Sequence, residues 1–169
     1  MPNWCDNSIS ISGPTDKIKK LWETVNSLHE SDDSKGLLEA MVPIGEWSYG
    51  GATEAWGTKW DIDHEGLEFI DNGDGTSDIT GWFNSAWGPP VAAYENFLEN
   101  NKDCGIDASY YEPGMDFAGF YTDGEDEYIE GLTEECELPE DERSELFNRL
   151  DEEFGLMDNY EMYQEDEDE

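Results

Sequence analysis

Carboxylates dominate the chemistry open to this chain. The stretch from Leu138 to Gly155, LPEDERSELFNRLDEEFG, holds seven of them against two arginines. Clustered carboxylates can share a proton in acid–base work, hold a hard cation, or present negative charge to a basic partner. Pairs are so frequent here that none is set apart as a general acid and base, and there is no glycine-rich phosphate loop ending in Lys-Ser or Lys-Thr. The calcium-like run Asp71 to Asp78, DNGDGTSD, fails the required spacing: Gly73 and Gly75 stand where ligands are needed, and no glutamate closes the loop. A hairpin turn is its expected use. His29 and His64 are the only histidines; neither sits beside a Cys or Ser in a nucleophile pattern, and the HEG at His64 lacks the second histidine of a zinc helix. The expectation is therefore a protein that is not an enzyme, with no catalytic residue, metal site or cofactor.

A second cluster is aromatic. WGTKWD, Trp56 to Asp61, flanks a lysine with two tryptophans, and Trp82 and Trp87 follow. Trp56, Lys59, Trp60 and Trp87 could line a small-ligand pocket by stacking, with a cation over an indole ring. Large aromatics beside glycine more often form a core, so packing beneath one sheet face is the competing and stronger expectation.

The charge itself excludes several classes. With 44 acidic and 8 basic residues the formal net charge is −36. Direct nucleic-acid binding draws its affinity from Lys and Arg on phosphates, and even residues 1–124, with 23 acidic and 6 basic side chains, are strongly negative. Residues 125–169 carry 21 acidic and 2 basic side chains, more than half of the net charge in about a quarter of the chain. No apolar window is long enough for a membrane span, and the N-terminus has neither a basic nor an apolar signal region. Cys5, Cys104 and Cys136 are odd in number and far apart, as expected of free thiols in the cytoplasm.

The elements that must position these groups follow from periodicity. Ile9 and Ile11 alternate with Ser8, Ser10 and Ser12, a half-buried strand closed by Gly13. Ile18, Leu21, Trp22, Val25 and Leu28 then recur on one face of a helix beginning near Pro14 or Thr15. A long connection from Ser31 to Thr53 contains a short helix around Leu37 to Met41. GLEFIDNGDGTSDITGWF reads as a hairpin, Pro89 and Pro90 open a helix, and IDASYY and DFAGFYT add two strands. The order is β-α-β-β-α-β with an extra strand. Beyond Gly124, Tyr128, Ile129, Leu132 and Cys136 recur at helical spacing, and a helix is expected from Pro139 to Phe154, with Leu146, Phe147, Leu150 and Phe154 as its stripe and Gly155 as its stop.

Three groups of residues carry a resemblance: MPNWCDNSISISG, WGTKWD, and the pair FNSAWGPP and YYEPGMDFAGF. Together they resemble the YubB-type ferredoxin-like domain of phage and plasmid proteins over roughly the first 120 residues. The resemblance implies an α+β ferredoxin-like antiparallel sheet and a mobile-element setting, without an activity. The expected organisation is a ferredoxin-like domain over 1–124, an acidic helical extension over 125–163 and a disordered acidic tail over 164–169.

Duplex DNA carries about one charge per 1.7 Å, so −36 corresponds to roughly 61 Å of duplex, whereas a compact chain of this length is only about 40 Å across. The charge therefore suffices for a nucleic-acid mimic that binds and inhibits a basic nucleic-acid-binding host protein, such as a defence nuclease or a transcription or nucleoid protein. Glu127, Glu130, Glu134, Glu142, Glu145, Glu152 and Glu153 are its expected contact residues. The alternatives are an acidic assembly factor that copies no DNA geometry, and a salt-adapted domain with a ligand site near WGTKWD.

Overall fold

The computed structural model describes residues 3–168. It is an α+β protein built on one antiparallel six-stranded sheet of order β2-β3-β1-β4-β5-β6. The strands are β1 (Trp4–Pro14), β2 (Leu67–Asp71), β3 (Thr76–Ala86), β4 (Gly105–Glu112), β5 (Phe117–Thr122) and β6 (Glu125–Glu130). The helices are α1 (Thr15–Ser31), α2 (Leu37–Met41), α3 (Tyr49–Trp56), α4 (Val91–Asn100), α5 (Leu132–Glu137), α6 (Glu145–Phe154) and α7 (Leu156–Asp168).

The alternation of β1 decides which residues go where. Cys5, Asn7, Ile9 and Ile11 are buried on one face, opposite Ser85, Phe83, Gly81 and Ile79 of β3. Ile18, Leu21 and Val25 of α1, Leu37, Leu38 and Met41 of α2, and Tyr94 and Phe97 of α4 cover that face and complete the first core. Trp22 lies at its margin, only partly buried. The hairpin expected at Asp71 to Asp78 is present between β2 and β3. Its acids serve the turn: Asp71 accepts from the Gly73 amide, and Asp74 accepts from the amide and hydroxyl of Thr76.

The opposite face carries a second core, into which Phe147 and Leu150 of the expected stripe are buried. Ala118 of β5 and Leu132, Cys136, Phe147, Leu150 and Leu156 from α5, α6 and α7 are buried together, with Phe120, Ile129, Phe154 and Tyr160 packed around them. On the first face, by contrast, Tyr110 of β4 crosses to Asp126 of β6 over Gly119; a Cβ there would stand 2.5 Å from the Tyr110 hydroxyl. Only glycine leaves room for that crossing.

Four expectations for the C-terminal third are corrected. Residues 125–130 form a strand, not a helix, because Asp123 and Gly124 turn the chain at positive φ and Glu125–Glu130 then pair with β5. The sheet therefore runs past the boundary expected at Gly124. The helix expected from Pro139 to Phe154 is broken: Glu140–Glu142 form a single 3-10 turn, and α6 starts only after Ser144, whose hydroxyl accepts from the Phe147 amide at 3.1 Å. The tail expected to be disordered from Gln164 continues α7 to Asp168, since nothing after Leu156 interrupts the helix and Met157 and Tyr160 anchor its first turns; Glu169 lies outside the described residues. Gly155 does end α6, at φ 66°. The connection from Ser31 to Thr53 holds the expected α2 and also the start of α3.

Candidate functional site

All seven expected contact glutamates are exposed, but the structure distributes them over four elements. Glu127 and Glu130 lie on β6, an edge strand; Glu134 is on α5; Glu142 is in the 3-10 turn; Glu145, Glu152 and Glu153 are on α6. An edge made of EDEYIE also resists pairing with other strands, because acidic side chains disfavour edge-to-edge contact.

Two of the seven carboxylates are already engaged. Glu127 lies 3.7 Å from Arg149, whose guanidinium stacks 4.6 Å from the centre of the Phe120 ring. Both members of that ion pair are largely exposed, so it contributes under about 1 kcal/mol. Glu153 turns back toward the sheet, where its Oε1 accepts from Ser8 Oγ at 3.2 Å and Ser109 Oγ at 2.9 Å. Glu153 is thus exposed but already partnered by the sheet. Glu130, Glu134, Glu142, Glu145 and Glu152 make no side-chain hydrogen bond or ion pair among the described residues and project from ordered backbone.

Beside α6, an open groove of about 480 Å³ runs over the uncovered part of the second face. Ser8, Ser10, Thr80 and Ser109 supply a hydroxyl-rich floor, Arg149 and Glu153 one wall, and Trp82 the other. Trp82 is 52% exposed and meets Phe154 edge-on at 6.2 Å. Ser8 and Ser10 of the SISIS run, read from the sequence as the polar side of a half-buried strand, therefore line a concave surface.

The aromatic cluster divides. Trp56 is buried in the first core, and its indole N–H donates to the Val42 carbonyl at 2.9 Å, so it lines no stacking site with Lys59. Trp60, Trp82 and Trp87 are exposed, which corrects the expectation that they pack beneath the sheet. Lys59 Nζ lies 4.1 Å from the Trp60 ring centre and 6.0 Å from that of Trp87, and Trp4 tilts against Trp60 at 6.0 Å. Trp87 holds φ 70°, a costly conformation for a bulky residue, with its amide donating to the Asn3 carbonyl at 2.7 Å. The strained turn at AWGPP thus brings Trp87 to Lys59. Trp4 was missed at the sequence level, although the β1 alternation already places it opposite the buried Cys5.

No helix among the described residues is long and apolar enough to cross a membrane. No protein-family model, curated protein or solved structure matches the chain.

Proposed function

We propose that the protein is an acidic nucleic-acid mimic that occupies the basic groove of a DNA- or RNA-binding protein, using a ferredoxin-like sheet as its scaffold. The ferredoxin-like reading rests on the four strands β2-β3-β1-β4, linked through α1 and α4, with β5 and β6 added at one edge. The carrying observation for function is the second core. A solvating tail needs no fold, whereas here the most acidic part of the chain is docked through Phe147, Leu150 and Leu156, so the backbone that bears its carboxylates is ordered.

One helix is not enough. The ten residues of α6 span about 15 Å, a length over which duplex DNA presents about nine charges, and α6 supplies Glu145, Asp151, Glu152 and Glu153. The shaped surface must therefore combine α6 with β6 and α5. The resemblance to phage and plasmid proteins points to a host defence nuclease or a transcription or nucleoid protein in the cytoplasm as the partner. An assembly factor of the same charge would not need ordered backbone beneath its carboxylates, which is why the docked helices favour the mimic.

Displacement of a labelled duplex from purified basic DNA-binding proteins tests this reading. The parent should release the duplex, with association slowing as salt rises. Changing Glu130, Glu134, Glu145 and Glu152 to Gln should weaken displacement and flatten its salt dependence. Equal displacement by parent and variant would refute the shaped surface, and failure of the parent against every such protein would refute the mimic. A second reading, a stacking site for an aromatic or cationic ligand, is favoured by the exposed Trp4, Trp60 and Trp87 around the half-buried Lys59, with the strained Trp87 backbone.

A further inference from the structure

The two histidines, 35 positions apart in sequence, meet in the fold. His29 lies in the last turn of α1, and His64 lies in the connection that leads into β2. Their rings stand 4.8 Å apart between centres at 78°, and Trp22 packs edge-on against His64 at 5.9 Å. Asp63 completes the group: one ligand atom from each of His29, Asp63 and His64 lies within 4.8 Å of the others.

We propose that His29, Asp63 and His64 form a binding site for one divalent transition-metal ion of the zinc class. The donor set decides the class. Two imidazoles and one carboxylate suit Zn²⁺ and its first-row neighbours, whereas Mg²⁺ and Ca²⁺ prefer oxygen ligands alone. Donors on a tetrahedral ion with bonds near 2.05 Å sit about 3.4 Å apart, so ligation draws these atoms inward by roughly an ångström, a shift that side-chain torsions supply.

Three further features suit a metal. His29 Nδ1 lies 3.3 Å from the Lys35 carbonyl; as the donor there, it leaves the Nε2 lone pair for an ion and gives a ligating histidine its usual outer partner. His64 Nδ1 is buried and has no hydrogen-bond partner. Asp63 accepts from the Glu65 amide through Oδ1, which leaves the other carboxylate oxygen to coordinate.

The surrounding backbone is already placed. Asp61 accepts from the amides of Gly36, Leu38 and Glu39, so the chain just before Asp63 is tied to the start of α2. Gly36 permits this approach, since a Cβ there would stand 2.5 Å from the Ile62 carbonyl oxygen. The ion would then clamp the end of α1 to the segment entering β2, with at least one coordination position open to solvent on the side of the exposed Asp63.

The test must separate this site from weak binding by the many carboxylates. Zn²⁺ is titrated into the whole protein by calorimetry in a large excess of Mg²⁺, which competes at oxygen sites and poorly at imidazole. One tight site per chain is expected, weakened at least tenfold by His29→Gln or His64→Gln. Imidazole nitrogen NMR of the unaltered protein gives an independent readout, because the chain has only two histidines. Both rings should shift together on addition of one equivalent. The proposal is overturned if no tight site survives Mg²⁺, if both Gln variants bind as the parent does, or if neither ring responds to zinc.

Discussion

Replacing Phe147 by Ala tests whether the acidic third of the chain is a packed layer or only rests on the sheet. Phe147 is fully buried among Leu132, Cys136, Leu150 and Leu156. Truncating a buried Phe removes its transfer free energy and leaves a cavity, together about 3–5 kcal/mol. Since 1.4 kcal/mol is a tenfold change in an equilibrium, opening of α5, α6 and α7 should become more frequent by roughly two to three and a half powers of ten. The first core contains none of these residues, so the loss should be local. Hydrogen exchange reads this directly: amides of Glu145–Phe154 should exchange faster by that factor, while those of β1 and β3 barely change. Added salt should restore part of the protection by screening repulsion among the carboxylates. Acceleration of less than tenfold in α6 would refute the second core. Equal acceleration in β1 would show that the two cores open as one unit, against the independence assumed here.

Val25→Asp should abolish the cooperative thermal transition, because Val25 is fully buried, whereas Trp22→Asp should leave a lowered but cooperative one, because Trp22 sits at the margin. At pH 8, a disulfide reagent should modify Cys104 in the native protein and reach Cys5 and Cys136 only after unfolding, because burial pushes their thiols up to about 12 and about 11; three fast thiols would contradict their burial. The same shift makes stability fall as pH rises from the ordinary thiol value of 9.0 toward 12, since the unfolded chain releases the Cys5 proton first; alkaline denaturation of Cys5→Ala should show a shallower slope there. Asp61→Asn should cost about 1–3 kcal/mol at neutral pH in urea denaturation, because four backbone N–H groups then share a poorer acceptor, and an unchanged midpoint would refute the cap. Burial holds the Asp61 carboxyl above its ordinary value despite those donors, so its contribution declines as pH rises from about 4. The Asn variant should lose that slope.

What the sequence revealed depended on whether hydrophobic spacing outran charge. SISIS and the α1 stripe could be read because apolar and polar residues recur there at a single period, and the hairpin at Asp71 to Asp78 because glycines and aspartates are turn residues. EDEYIE hid its strand because only Ile129 is even partly buried, so five of six side chains carry no burial signal. The break before α6 had a visible cause in Ser144, a capping residue three positions ahead of Phe147, but the acids on both sides also suit a helix start and masked it. The groove beside Trp82 and the meeting of His29 with His64 could not be read locally, since each joins segments that only the sheet order brings together.

The same structure explains how so much like charge is tolerated. Only two ion pairs occur among the described residues, so cations do not hold this chain together. Two apolar layers on opposite faces of one sheet do, and they leave most carboxylates outside, while the buried Glu39 and Glu112 accept from backbone N–H groups. Repulsion is lowered by that placement but not removed, so anything cationic that binds the acidic layer also relieves strain already present in the free protein. A basic partner would therefore gain affinity from the unfavourable field it quenches as well as from its contacts. Partner binding should then raise the protection of α6 and α7 more than that of β1, an asymmetry that a partner docked at the Trp60 cluster would not produce.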